Sequence, residues 1–191
     1  MGHNIAITFD DGPNNYTNTI LDILKEKKIT ATFFVIGQQI EGNEAIISRM
    51  VEEGHAVENH SLTHADFNQL TLEEAQEEIK IADRLLYPYL GRETTYFRPP
   101  FGNLPEMFFS SIKKDIVFWD VDSKDWSSIK AAEIYNEVVQ NLKPDSVILL
   151  HSFEETVTIL PEILDYIQNN SFCPRLLSEV NSKAIIFARN L

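Results

Sequence analysis

Thr8-Phe9-Asp10-Asp11-Gly12-Pro13 sets two carboxylates side by side where a strand-like run, Ile5-Ala6-Ile7, meets two turn formers. Glycine and proline stop a strand, so both carboxylates belong at its carboxyl end. Adjacent carboxylates repel, and at least one calls for a cation or a proton. Aspartate suits a hard or borderline metal ion. Alone, the segment also reads as an Asx-type turn with solvated side chains.

Four more segments carry chemistry. His60-Ser61-Leu62-Thr63-His64 spaces two imidazoles so that both face one side of a helical turn and reach one ion. With Asp11 they make the His, His and carboxylate of an open hydrolytic metal site, although such a pair also arises by chance on a surface. Arg98-Pro99-Pro100-Phe101-Gly102 is a stiff segment able to fix an arginine and the backbone N–H groups after it; otherwise it is a rigid loop with a surface arginine. Asp122-Ser123-Lys124-Asp125-Trp126 offers an aromatic wall beside a carboxylate that could hold a histidine, unless Trp126 is core. Val147-Ile148-Leu149-Leu150-His151 is an apolar strand ending in a histidine, which is either structural or turned to the same place as the others.

Each of these follows a strand-like run, so the elements around them decide whether they meet. Ile5 to Phe9 precedes a helix carrying Ile20, Ile23, Leu24 and Lys27; Thr32 to Ile36 precedes one carrying Ile46, Ile47, Met50 and Val51, stopped by Gly54. His55 to Glu58 is a third run. Thr71-Leu72-Glu73-Glu74 is a capping box, after which Leu72, Ala75, Ile79, Ala82 and Leu86 mark one helical face. Tyr96-Phe97, Ile116 to Trp119, Val147 to Leu150 and Ala184 to Phe187 read as further strands. Helices are expected around 104–114, 131–142 and 155–169. Alternating strand and helix predicts a parallel sheet. With no glycine-rich phosphate turn after the first strand, a (β/α) barrel is favoured over a dinucleotide fold. The chain is short for eight units, so the expectation is a distorted or incomplete barrel of parallel strands with outer helices, its chemistry at the carboxyl ends of the strands.

With 191 residues, one domain over 1–191 is the simplest organisation. The net charge of -13 argues against nucleic acid or an anionic membrane as partner. The single Cys173 allows no internal disulfide and no zinc knuckle. No stretch reads as a membrane span or a signal peptide. Met1-Gly2-His3 reads as an added start, which would leave any native leader or anchor outside this sequence.

Taken in order, the five segments resemble the motifs of the polysaccharide deacetylase family, the NodB-homology domain of carbohydrate esterase family four. The resemblance runs from Thr8 to His151, and its most specific motifs, Thr-Phe-Asp-Asp-Gly-Pro and His-Ser-x-x-His, are intact. It implies a distorted (β/α) barrel and metal-dependent removal of N- or O-acetyl groups from sugar polymers. By position, Asp10 matches the catalytic base, and Asp11, His60 and His64 match the metal ligands. Zinc is the commonest ion, with cobalt, nickel and manganese as alternatives. Arg98 matches the partner of the base, Asp125 the partner of the catalytic histidine, and His151 that acid. Phe101 stands where the family usually has tyrosine and gives a backbone N–H to the oxyanion. Leu149, Trp126 and Phe101 match the substrate pocket, the first two walling the acetyl methyl. Ser152 stands where aspartate is frequent, a change expected to act on the cleft rim. The chain is compact, so loops shaping an extended polymer groove are expected to be short.

Amides resist hydrolysis because water is a weak nucleophile and the amine leaves poorly. A metal ion can acidify water toward a pKa of about 7 and polarise the carbonyl. A carboxylate can take the water proton, and a cationic histidine can protonate the amine. The expected substrate is N-acetylglucosamine in peptidoglycan or chitin-like chains, with acetylated xylan as the ester alternative. A silent sugar-binding domain and a metal-stabilised structural module are the readings from other classes. A monomer, secreted or in the bacterial envelope, is expected, with the cytoplasm left open.

Overall fold

The computed structural model describes residues 2–188. Strand β1, His3–Gly12, is an interior strand of the sheet. Helix α1 (Thr17–Lys27), strand β2 (Thr32–Val35), helix α2 (Glu44–Glu52) and strand β3 (Ala56–Asn59) follow. Helix α3 (Leu72–Leu90) starts at the expected capping box: Glu74 N–H donates to Thr71 Oγ1, and Thr71 N–H donates to the Glu74 carboxylate. Beyond it come β4 (Tyr96–Phe97), β5 (Asp115–Val117), β6 (Val121–Asp122), α4 (Ala131–Asn141), β7 (Val147–His151), α5 (Glu154–Asn169), β8 (Phe172–Arg175) and β9 (Ile185–Ile186).

The strands run in the order β6-β7-β1-β2-β3-β4-β5-β9, with β8 pairing to the start of β1. Every described pairing is parallel except the one between β5 and β9. β5 and β6 stand toward opposite ends of that order, yet only Phe118, Trp119 and Asp120 separate them in the chain. Such a link reaches about 14 Å at most, so the sheet must curl until its ends nearly meet. Backbone bonds from Phe118 to Ala184 (2.8 Å) and from Asp120 to Val147 (2.9 Å) hold the two sides of the gap. The result is a distorted, incomplete (β/α) barrel.

Alternation along the strands divides its two faces. Ile5, Ile7, Phe9, Phe33, Val35, Ile148 and Leu150 pack outward into one core with Ile20, Leu24, Ile47, Ile134, Leu160 and Ile163 of the helices. Ala6, Phe34 and Val147 belong instead to a smaller inner cluster with Val117, Leu177 and Ile185. Asp10 shares the parity of Ala6, and Leu149 and His151 share that of Val147. The inward face is therefore the one that turns polar at the carboxyl end.

Three expectations change. The segment expected as a helix over 104–114 forms only a short 3₁₀ stretch, Glu106–Ser111, where Phe108 and Ile112 pack on Phe67 and Phe97; serines such as Ser110 and Ser111 are weak helix formers. The strand expected over Ile116 to Trp119 ends at Val117, because Phe118 to Asp120 must bridge the barrel gap. Two short strands went unread: β6, and β8, whose Pro174 argues against a strand until it is paired with His3–Ala6.

Candidate active site

β1 and β7 lie in parallel register with Asp10 opposite His151, which brings the first and last sequence motifs together. Asp11 should then point to the other face, since neighbours on a strand alternate. It does not, because Asp11 has φ 65° and the β1–β2 register shifts between Phe9 and Gly12. This irregularity turns both carboxylates to one mouth.

His60 and His64 leave the end of β3, but not as a helical turn. Ser61 and His64 adopt left-handed backbone conformations, with φ 67° and 61°, and the segment is irregular. Asn59 Oδ1 accepts from Ser61 N–H at 2.8 Å, and Ser61 Oγ accepts from His64 N–H at 3.0 Å, displacing helical bonds. The expected outcome, two imidazoles at one point, is reached by this other backbone route. Asp11 Oδ1 is 3.3 Å from His60 Nε2 and 3.2 Å from His64 Nε2.

The donor set suits a cation. His60 Nδ1 lies 2.7 Å from the Arg98 carbonyl, which can only accept, so Nδ1 carries the proton and Nε2 offers its lone pair. Asp11 Oδ1 is buried with no aligned hydrogen-bond donor, leaving lone pairs facing one another. The ligand atoms of Asp11, His60 and His64 all lie within 4.8 Å of one another. Burial would raise the Asp11 pKa; were His60 and His64 protonated on Nε2, their hydrogen bonds and charge, with that of His151, would override burial and hold the carboxyl far below its ordinary range. That attraction is the one a cation between them would take over.

Arg98 is no surface residue. It is fully buried, and four of its five N–H groups are used: Nε on Val117 O, Nη2 on Phe118 O, and Nη1 on Thr8 Oγ1 and Asp10 Oδ1. The Asp10 contact is 2.8 Å, and the guanidinium carbon sits 4.2 Å above the Phe34 ring. Burial lowers the Arg98 pKa while Asp10 opposes the change. The same side chain thus fixes Asp10 and ties the strand end beside the barrel gap.

On the other wall, His151 Nδ1 meets Asp125 Oδ1 at 2.6 Å. Asp125 Oδ2 accepts from His151 N–H and Thr156 Oγ1, so both oxygens are committed. Burial pulls the His151 pKa down; the Asp125 hydrogen bond and charge, with help from Asp10 and Asp11, push it up to about 9. Phe153 stacks on the imidazole at 5.1 Å.

Asp10, Asp11, His60, His64 and His151 line one cleft of about 390 Å³ with Phe101, Trp126 and Leu149, while Arg98 and Asp125 stand buried behind it. Leu149 is buried, whereas Trp126 is 57% exposed and Phe101 63% exposed, so Trp126 is not core. The Phe101 ring meets His64 edge-on at 4.6 Å. Ser152 is wholly buried beside Gly12 and does not form the rim expected of it. Trp119 and Asp122 also line the cleft and were not singled out as site residues. Asp122 accepts from Trp126 Nε1–H at 3.1 Å, a link that the four-residue spacing could have suggested. Trp119 requires Gly102, because a Cβ there would come within 2.8 Å of the indole. A larger groove of about 780 Å³ runs along α3, lined by residues such as Glu77, Lys80 and Lys113, and contains none of this chemistry.

Sequence comparison matches the polysaccharide deacetylase family over residues 2–115. The chain belongs to that family. It is 37% identical over 153 residues to the peptidoglycan-N-acetylmuramic acid deacetylase PdaC of Bacillus subtilis, a match covering 80% of this chain and 33% of PdaC. A structure of the PdaC deacetylase superposes with a TM-score of 0.89 at 33% identity, covering 93% of this chain and 89% of that one. A chitooligosaccharide deacetylase of Rhizobium leguminosarum is 37% identical over 153 residues, 77% of this chain and 67% of the relative. A bifunctional xylanase/deacetylase of Pseudobutyrivibrio xylanivorans is 32% identical over 181 residues, 92% of this chain and 30% of the relative. The chain thus spans about a third of the length of PdaC and of the bifunctional enzyme.

Proposed function

We propose that this deacetylase-family domain hydrolyses N-acetyl groups of N-acetylglucosamine units in peptidoglycan or chitin-like chains, releasing acetate. One juxtaposition carries the reading. The Asp11, His60 and His64 set has Asp10 3.7 Å from His60 on one side and His151 4.0 Å from Asp11 on the other. A divalent ion held by that set, zinc foremost, would supply Lewis acidity toward the acetyl carbonyl and lower the pKa of water.

Asp10, oriented by Arg98, takes a proton from water as its oxygen attacks the carbonyl carbon. The Phe101 N–H donates to the oxyanion; one such donor is worth about 3 kcal/mol of barrier. As the C–N bond breaks, His151 passes its proton to the nitrogen, and the products are acetate and a free amine. Asp10 then releases its proton and His151 regains one from solvent. Leu149 and Trp126 wall a space for a methyl and crowd longer acyl groups. The similarity to peptidoglycan and chitooligosaccharide deacetylases supports this substrate class, and the bacterial cell envelope is the site of action it suggests. Among the described residues no helix is long and apolar enough to cross a membrane.

Similarity to a bifunctional xylanase/deacetylase supports a second reading, ester hydrolysis on acetylated xylan. Acetate release from chito-oligosaccharides and from acetylated xylan, after chelation and after adding zinc back, tests both. The expected result is zinc-restored release from the chito-oligosaccharide. Release from xylan alone would favour the ester reading, and none from either would overturn both.

A further inference from the structure

The loop carrying His60 and His64 is held only in part by its own bonds. None of its five N–H groups makes a helical bond: His60 donates to Val35 O (3.0 Å), Ser61 to Asn59 Oδ1 (2.8 Å), His64 to Ser61 Oγ (3.0 Å), and both Leu62 and Thr63 to one carboxylate oxygen, Glu78 Oε2 (3.0 and 2.8 Å). The other oxygen, Oε1, accepts from Thr63 Oγ1 at 2.9 Å. Glu78 stands on α3, fifteen residues beyond Thr63, and is half-buried. The same helix braces the strand end before the loop, where Asn59 Nδ2 donates to Ile79 O and Asp83 Oδ1. Two left-handed residues, each costing about 1–2 kcal/mol, persist only where surroundings over-determine them. On one side Gly37 and Gln38 N–H donate to Ser61 O and Leu62 O, both at 2.9 Å, and among the described residues the Glu78 carboxylate is the side chain that accepts from the N–H groups of the loop's middle.

We propose that Glu78 is a positioning residue for the metal site, holding the loop so that His60 and His64 converge on Asp11. This rests on the metal reading above and names a residue that touches neither ion nor substrate. Outer groups that orient ligands typically change metal affinity about 10–100-fold when removed. The geometry also predicts which replacement rescues. In Glu78→Gln the amide oxygen can accept both N–H groups, as Oε2 now does, while the amide NH₂ donates to the Thr63 hydroxyl. Glu78→Ala leaves two N–H groups without their acceptor, and Glu78→Asp is one methylene too short to keep both.

The experiment measures the dissociation constant for Zn²⁺ by competition with a chromophoric chelator, and the Co²⁺ absorption spectrum as a reading of ligand geometry. Both are set beside the Tm of each metal-free protein. Expected are Zn²⁺ affinity weakened about 10–100-fold in Glu78→Ala, an intermediate loss in Glu78→Asp, and near wild-type affinity and spectrum in Glu78→Gln. A merely structural role would lower Tm and leave affinity and spectrum unchanged at temperatures where each variant is folded; that result overturns the proposal. Should Glu78→Ala not fold, an unchanged affinity in Glu78→Asp overturns it equally. Wild-type protein that binds Zn²⁺ but releases no acetate would sink the proposed reaction and leave this inference standing. Wild-type protein that fails to bind Zn²⁺ would refute the positioning role.

Discussion

Replacing Asp125 by asparagine should move the alkaline limit of activity. In the folded protein the His151 pKa lies at about 9, against an ordinary value near 6.5. The largest favourable influence is the 2.6 Å contact between Asp125 and Nδ1. In Asp125→Asn the side-chain oxygen can still accept from His151 N–H and Thr156 Oγ1, which now share Asp125 Oδ2. Its NH₂ then faces Nδ1, so the imidazole is stable only with Nδ1 unprotonated, and the imidazolium meets donor against donor. A hydrogen bond to a charged group is worth about 1.5–3 kcal/mol. At about 1.36 kcal/mol per pKa unit, its loss lowers the His151 pKa by roughly one to two. A cation on Asp11 would cancel that carboxylate's contribution, so the wild-type alkaline limb should lie at or somewhat below about 9. The assay is acetate release from a chito-oligosaccharide against pH at saturating zinc, with metal content measured in both proteins. The limb should fall by about one to two pH units, with metal content unchanged and a lower maximal rate. Stability carries the same sign. A histidine whose folded pKa is raised contributes stability fully below about 6.5 and loses it as pH rises through about 9. Wild-type, metal-free protein should therefore lose stability across that window, and the variant should show a flatter profile. A variant whose rate profile superimposes on wild type would refute the role given to the Asp125–His151 pair.

Three other outcomes are expected. His60→Ala or His64→Ala should remove most bound metal and activity while circular dichroism shows the barrel intact, since His60 and His64 belong to none of the three apolar clusters; wild-type metal content in the double variant would refute the ligand set. Asp10→Asn should keep the metal but lose most turnover, because an amide cannot accept the water proton, and near-normal acetate release would remove Asp10 from the role of base. Arg98→Met should destabilise the fold by about 3–5 kcal/mol in denaturant titration, the typical cost of leaving one member of a buried ion pair unpartnered; a loss below about 1 kcal/mol, the scale of an exposed pair, would show that the guanidinium does not hold the strand end.

By itself the sequence carried the central strands and the chemistry-bearing residues that follow them. Ile5-Ala6-Ile7 and Val147 to Leu150 read as strands from their apolar, β-branched runs, whereas which of their alternating faces is outer is decided by the helices packed on it. The capping box at Thr71 and Glu74 was equally legible, since its bonds close within four residues. The resemblance of the five segments carried the order of the site and its residue types. Tertiary structure decided the rest. Nothing local says that Asp11 and His64 take left-handed backbones, that His60 to His64 avoids a helix, or that Arg98 is wholly buried. Bonds close in sequence, such as Ser61 to Asn59, shape part of the loop, but the rest depends on partners far along the chain: Thr63 on Glu78, 15 residues away, Arg98 on Asp10, 88 residues away, and His151 on Asp125, 26 residues away. Backbone propensity acts over a few neighbouring residues, whereas these bonds exist only once distant segments have been brought together.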